Sequence, residues 1–290
     1  MNGKLEKEVY NVLRKIALKS ITGNLGKIVE SEDRITCYIN HYDESKKVLN
    51  LYNSNSDKNK TLTKAYNIDK PIYYVIDNFN FEKYAGVTIV GYDNVNVVIK
   101  NCRFKYYSFI SIRGTCRIES CDFDCYGCLD IIADDLSIID SKINNYGNTR
   151  IGSEYNLRAL NSSIFCDDKN CMSISSINGN IYLDDVSINA GRLYIESPII
   201  LSNNSLINAG REVKIKNDTF NSLNVNSPNI FYNDDKIGTG NVIIRSDDLP
   251  LINSRMELIN VLKKINYKCE NEINEEINRL RNNPIKKLKR

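Results

Sequence analysis

The stretch ESCDFDCYGCLD places Cys121, Cys125 and Cys128 at a C-x3-C-x2-C spacing. Three thiolates so spaced can hold an iron–sulfur cluster. A mixed cysteine and histidine zinc set has little to draw on, because His41 is the only histidine. Tyrosine is the other side chain that gathers. Tyr106 and Tyr107 fall in KYYSF, and Tyr146 and Tyr155 fall in NNYGNTRIGSEYN together with Arg150 and Glu154. Tyrosine beside arginine suits a protein-binding patch, and tyrosine equally suits the stacking of a sugar, so Tyr106, Tyr107, Tyr146, Arg150 and Tyr155 are the candidate binding residues. Whether any of these groups can act together depends on the elements that aim them.

Those elements repeat. From residue 71 onward the chain reads YVIDNFNF (74–81), VVIKNCRF (97–104), CRIESCDF (116–123), LSIIDSKI (136–143), LRALNSSI (157–164), IYLDDVSI (181–188), IILSNNSL (199–206) and VKIKNDTF (213–220). Each is apolar-x-apolar-x-[Asn/Asp/Ser]-x-x-apolar. The fifth place is held by Asn78, Asn101, Ser120, Asp140, Asn161, Asp185, Asn203 and Asn217, mostly about twenty residues apart. INAGR also occurs twice, at Ile188–Arg192 and Ile207–Arg211. A fixed period of this length marks a solenoid. The β-branched residues in alternating places call for short strands with one face inward, and neither a leucine-rich frame nor a helical period is present.

The repeat resembles the right-handed parallel β-helix of the pectate-lyase-like group. The resemblance covers about residues 71–246 and implies that the fifth-place residues form an inward asparagine ladder at a turn, where asparagine tolerates a left-handed backbone. Three of the four N-x-[S/T] sequons, at Asn161, Asn203 and Asn217, fall on that ladder and read as turns; the fourth is at Asn59. In this register Cys102 and Cys121 share an inward column and Cys116 takes an apolar place, so these thiols read as small core residues and neither a metal nor another cofactor is expected.

Because many β-helices of that group cleave polysaccharides, the acidic run Asp122, Asp124, Asp130, Asp134 and Asp135 is weighed as a lyase site. Carboxylates would bind Ca2+ and an arginine would act as base, with Asp122, Asp124, Asp130 and Arg113 as the candidates. The hydrolases of the group use paired acids with a histidine motif, which the repeats lack. The competing reading is a set of outward columns of alternating sign: Arg103, Asp122 and Lys142 in one, Lys100 and Glu119 in another.

The ends differ from the repeats. Leu5, Val9, Val12, Leu13 and Ile16 have helical spacing, and Gly23 follows as a stop, which reads as a short helix capping the next segment. Residues 254–283 read as a second amphipathic helix, closed by Pro284 and followed by the basic tail IKKLKR. Net charge is +3 overall; residues 1–20 carry +3 and residues 250–290 carry +5, leaving the body acidic. The expected class is all-β: residues 1–70 an N-terminal helix and capping strands, 71–249 the parallel β-helix, and 250–290 the C-terminal helix and tail. No stretch has the length and apolarity of a membrane span, no secretion signal is recognisable, and nine cysteines suit reduced thiols, so a cytoplasmic location is expected. The functional expectation is a non-catalytic intracellular binding protein using the lateral face and loops to engage a protein partner. An inhibitor of a host protein encoded by a phage or virus is compatible with this, and the alternative is the polysaccharide lyase. Contact with nucleic acid would run through the basic tail, and pairing with another chain through the C-terminal helix.

Overall fold

The computed structural model describes residues 2–40, 42, 47–53, 59–81, 86–245 and 256–257. Strands account for 64% of it and helices for 11%, and the strands stack as a parallel β-solenoid of about seven turns. The expected C-terminal helix and basic tail lie outside the described residues, apart from the helical Met256 and Glu257.

Each turn visits three faces. The chain runs along face A (96–100), bends, crosses face B (Arg103–Lys105), bends again and follows face C (108–112) before a kink returns it to face A. About twenty residues later the next turn lies directly on it: Ile99 pairs with Ile118, Phe104 with Phe123 and Ile110 with Ile131, all in parallel. Alternation puts Val97, Ile99, Phe104, Ile110 and Ile112 inside the prism. On face B the rings of Phe81, Phe104 and Phe123 stack at 4.8 and 4.4 Å, which matches the spacing of about 4.8 Å between adjacent strands.

The bend from A to B holds the left-handed residues Asn78, Asn101, Ser120, Asp140, Asn161, Asp185 and Asn204, with φ of 45–59°. Their side chains face solvent, which corrects the inward ladder expected from the repeat. A left-handed residue interrupts strand alternation, so positions 100 and 101 both face out and Cys102 turns in. Outside, the amides bond between turns: Asn101 Nδ2 donates to Asp77 at 2.8 Å and Asn161 Nδ2 to Asp140 at 2.9 Å. The inward ladder is the following residue. Cys102, Cys121, Ser141, Ser162 and Ser205 each donate back to the carbonyl two residues earlier, at 3.1, 3.3, 2.8, 2.7 and 2.9 Å. A donor on a one-carbon stem reaches that carbonyl, whether sulfur or oxygen, so cysteine and serine interchange down the column.

Two repeats are re-registered. The left-handed residue of the seventh is Asn204, not Asn203, and Ile207, not Leu206, enters the core opposite Ile188. The segment around Asn217 lies on face C, where Val213 and Ile215 pair with Leu193 and Ile195; Asn217 is buried and has no left-handed φ. Parallel stacking also begins earlier than residue 71. Ile35–Ile39 pairs with Ile72–Asp77, and Val48–Tyr52 pairs with 88–92. Antiparallel strands finish both ends: Gly26–Glu30 lies on Ile35–Ile39, and Asp235–Arg245 on Ser222–Tyr232.

Helix α1 (Asn2–Ile21) closes with Gly23 and Asn24 at φ of 70° and 55°, and the Asn24 amide bonds the Lys19 carbonyl at 2.7 Å in a Schellman-type cap. It docks through Ala17, Leu18 and Ile21 in the core, Tyr10 against Tyr66, and Arg14 paired with Glu30. The Arg14 hydrogen bond holds the Glu30 carboxyl below its usual range. This anchor is therefore complete above the ordinary glutamate range and fades as pH falls through the depressed value. The apolar series expected to face the solenoid, Leu5, Val9, Val12, Leu13 and Ile16, instead faces solvent.

Candidate functional site

The three spaced cysteines do not converge. Cys121 and Cys125 alternate with Asp122 and Asp124 along face B and are buried, whereas Cys128 stands exposed on the following bend. Among the described residues no group of three or more His, Cys, Asp or Glu is disposed to hold a metal ion. Burial pushes the Cys116 thiol up to about 12 and that of Cys125 to about 11. At pH 8 these thiols are protonated and enclosed. Brief alkylation of the folded protein, read by peptide mass spectrometry, is expected to label Cys128 first among the described cysteines, with Cys116 and Cys125 labelled only after unfolding. Early labelling of Cys116 would contradict this packing.

The acidic run is spread around the coil. Asp122 and Asp124 lie on face B, Asp130 on face C, and Asp134 and Asp135 at the kink from C back to A, where Arg113 also sits. Asp122 lies in register between Arg103 and Lys142, the alternating column expected from the sequence. Lys100 pairs with Asp77 at 3.1 Å, while Glu119 is taken by Arg117 of its own strand at 3.1 Å. Asp134, half-buried at the kink, has its carboxyl pushed up by burial. Asp122, Asp124 and Asp130 flank one bend on two faces, and Arg113 belongs to another.

That bend, from B to C, carries the tyrosines. Tyr106, Tyr126 and Tyr146 occupy it in successive turns, 42%, 55% and 46% exposed. Ring centroids are 6.3 Å apart between Tyr106 and Tyr126, then 5.0 Å between Tyr126 and Tyr146 with planes 14° apart; Phe165, on face B of the next turn, meets Tyr146 edge-on at 6.0 Å. Lys105 lies 5.9 Å from the Tyr106 ring, and the Tyr126 hydroxyl donates to Asp124 at 3.4 Å. Tyr107 is also exposed, in the neighbouring column. Just beyond the bend on face C, Arg150 lies in register with Asp130, which lies in register with Phe109. Tyr155 is exposed but sits at the kink from C to A, apart from the others.

Tyr126 was not among the residues singled out from sequence, although the period of twenty that joins Tyr106 to Tyr146 passes through it. The Tyr-Gly pairs at 126–127 and 146–147 are a second signal. A Cβ on Gly147 would lie 2.2 Å from the Gly127 carbonyl oxygen, so the bend stacks this closely only without one. Beneath it Asn145 is fully buried; its amide nitrogen donates to the carbonyls of Gly147 and Asn148 and to the Thr149 hydroxyl at 3.0, 2.9 and 3.0 Å, and its oxygen accepts from the Gly147 amide at 3.2 Å. The tyrosine column is thus held by stacked backbone and a satisfied buried amide.

Comparison with protein-family models, with curated proteins and with solved structures returns no match. No helix among the described residues is long and apolar enough to cross a membrane.

Proposed function

We propose that this chain is a non-catalytic binding protein that engages a protein partner through the B-to-C bend, with Tyr106, Tyr126 and Tyr146 as anchors and Tyr107, Lys105, Asp124, Asp130 and Arg150 around them. The observation that carries this reading is the mutual stacking of exposed Tyr126 and Tyr146 at 5.0 Å. A sugar stacks on an open ring face, and the stacking of Tyr126 on Tyr146 takes up one face of each ring. Rigid tyrosine with a charged, hydrogen-bonding rim is the composition of protein-binding hot spots. Free, buried thiols at Cys102, Cys116, Cys121 and Cys125 support a reducing compartment such as the cytoplasm.

The test is affinity capture with the full chain. The double variant Tyr126→Ser/Tyr146→Ser should lose a captured partner about tenfold or more, while Tyr155→Ser, at another bend, should retain it. Equal capture by wild type and the double variant overturns the proposal.

A further inference from the structure

Among the described residues, the solvent-facing stripe of α1 gathers five exposed large apolar side chains on one helix. Leu5, Val9, Val12, Leu13 and Ile16 are 42–64% exposed. Together they present on the order of 400 Å2 of apolar surface, within the range of the largest patch on a soluble monomer, which is often functional. At about 100° per residue, the stripe points roughly 140° away from the docking set Tyr10, Arg14, Ala17, Leu18 and Ile21.

We propose that the partner of this stripe is the α1 helix of a second copy, packed antiparallel about a twofold axis. Spacings of four, three and four between Leu5, Val9, Val12 and Ile16 are those of a coiled-coil seam, with Val9 and Ile16 at one heptad place and Leu5 and Val12 at the other. Antiparallel packing sets Leu5 against the partner's Ile16 and Val9 against the partner's Val12, and twofold symmetry repeats both contacts. The polar edge decides the direction. Glu8 and Lys15 share one flank of the stripe, and the antiparallel arrangement brings each Glu8 beside the partner's Lys15. A parallel pair sets Glu8 against the partner's Leu13 and leaves Lys15 opposite serine. With the edge residues included, the buried area is about 1,000 Å2 over both copies, the lower limit for a specific interface, so the dimer should form and dissociate in the micromolar range.

Sedimentation equilibrium of the full chain tests this. Wild type should shift with concentration from 33.2 kDa toward twice that mass. Val9→Ser/Ile16→Ser should stay monomeric and, at concentrations where wild type is dissociated, should unfold at the wild-type temperature, since both side chains are exposed in the monomer. Glu8→Lys and Lys15→Glu should each weaken the dimer at least threefold, and the two together should restore it. A monomer at every concentration, whether the stripe is bare or covered by residues 258–290, overturns the proposal. So does a dimer indifferent to Val9 and Ile16, or one that the double charge reversal fails to restore.

Discussion

Replacing Phe104 by alanine is expected to destabilise the protein by about 3–5 kcal/mol. Phe104 is fully buried on face B with Phe81 on one side and Phe123 on the other, at 4.8 and 4.4 Å. Its removal costs the transfer energy of the ring and both stacking contacts, and the backbone cannot collapse into the void because hydrogen-bonded turns fix the spacing above and below. Phe104→Leu should cost much less, about 1–2 kcal/mol, since it keeps most of the volume. Urea unfolding followed by circular dichroism measures both; a loss below about 1 kcal/mol for the alanine variant would mean that the ring stack carries little of the core.

The second large effect is expected at Asn145. Asn145→Leu should cost about 2–4 kcal/mol, because the carbonyls of Gly147 and Asn148 and the Thr149 hydroxyl lose their shared donor in a buried bend. The column itself tolerates a small side chain: Cys125 and Cys166 fill the same inward place one turn before and one turn after. Asn145→Cys should therefore fold with a smaller loss than Asn145→Leu. Both variants should also loosen the Tyr126–Tyr146 pair, which separates this residue from an ordinary core position: partner capture should fall further than stability does for Phe104→Ala. Equal stability of Asn145→Leu and wild type would show that the bend does not depend on the amide.

The solenoid was legible because burial on three faces demands the same apolar alternation every twenty residues, and Val97, Cys116, Leu136, Leu157 and Ile181 repeat it in register. Two signals in the chain disagreed about the last turns. The ladder pattern aligned Leu206 with Ile188, whereas the INAGR echo aligned Ile207 with it, and the structure follows the echo. The echo spans a whole bend and so carries its length; the ladder pattern is degenerate and slips by a residue unnoticed. The direction of the ladder side chains was not legible: the resemblance implied an inward ladder, whereas the left-handed residue reverses the alternation and leaves its own side chain outside while Cys102 and Cys121, in the column expected of them, turn in. Nor was the orientation of α1. Its apolar series is real, but the fold docks the helix by its last turn and by Tyr10 and Arg14, residues that a hydrophobic stripe does not pick out. At the candidate site, Tyr106 and Tyr146 were visible as tyrosines, while Tyr126 needed the period to be applied to the bends as well as to the strands.

Photo-cross-linking from a benzophenone side chain placed in turn at positions 126, 155 and 161, one on each bend of the coil, tests most directly whether the tyrosine column is the binding surface. In the extract in which partner capture is done, a specific adduct is expected from position 126, with positions 155 and 161 at background. Adducts of equal yield from all three bends, or an adduct confined to position 155 or 161, would contradict the assignment of binding to the B-to-C bend.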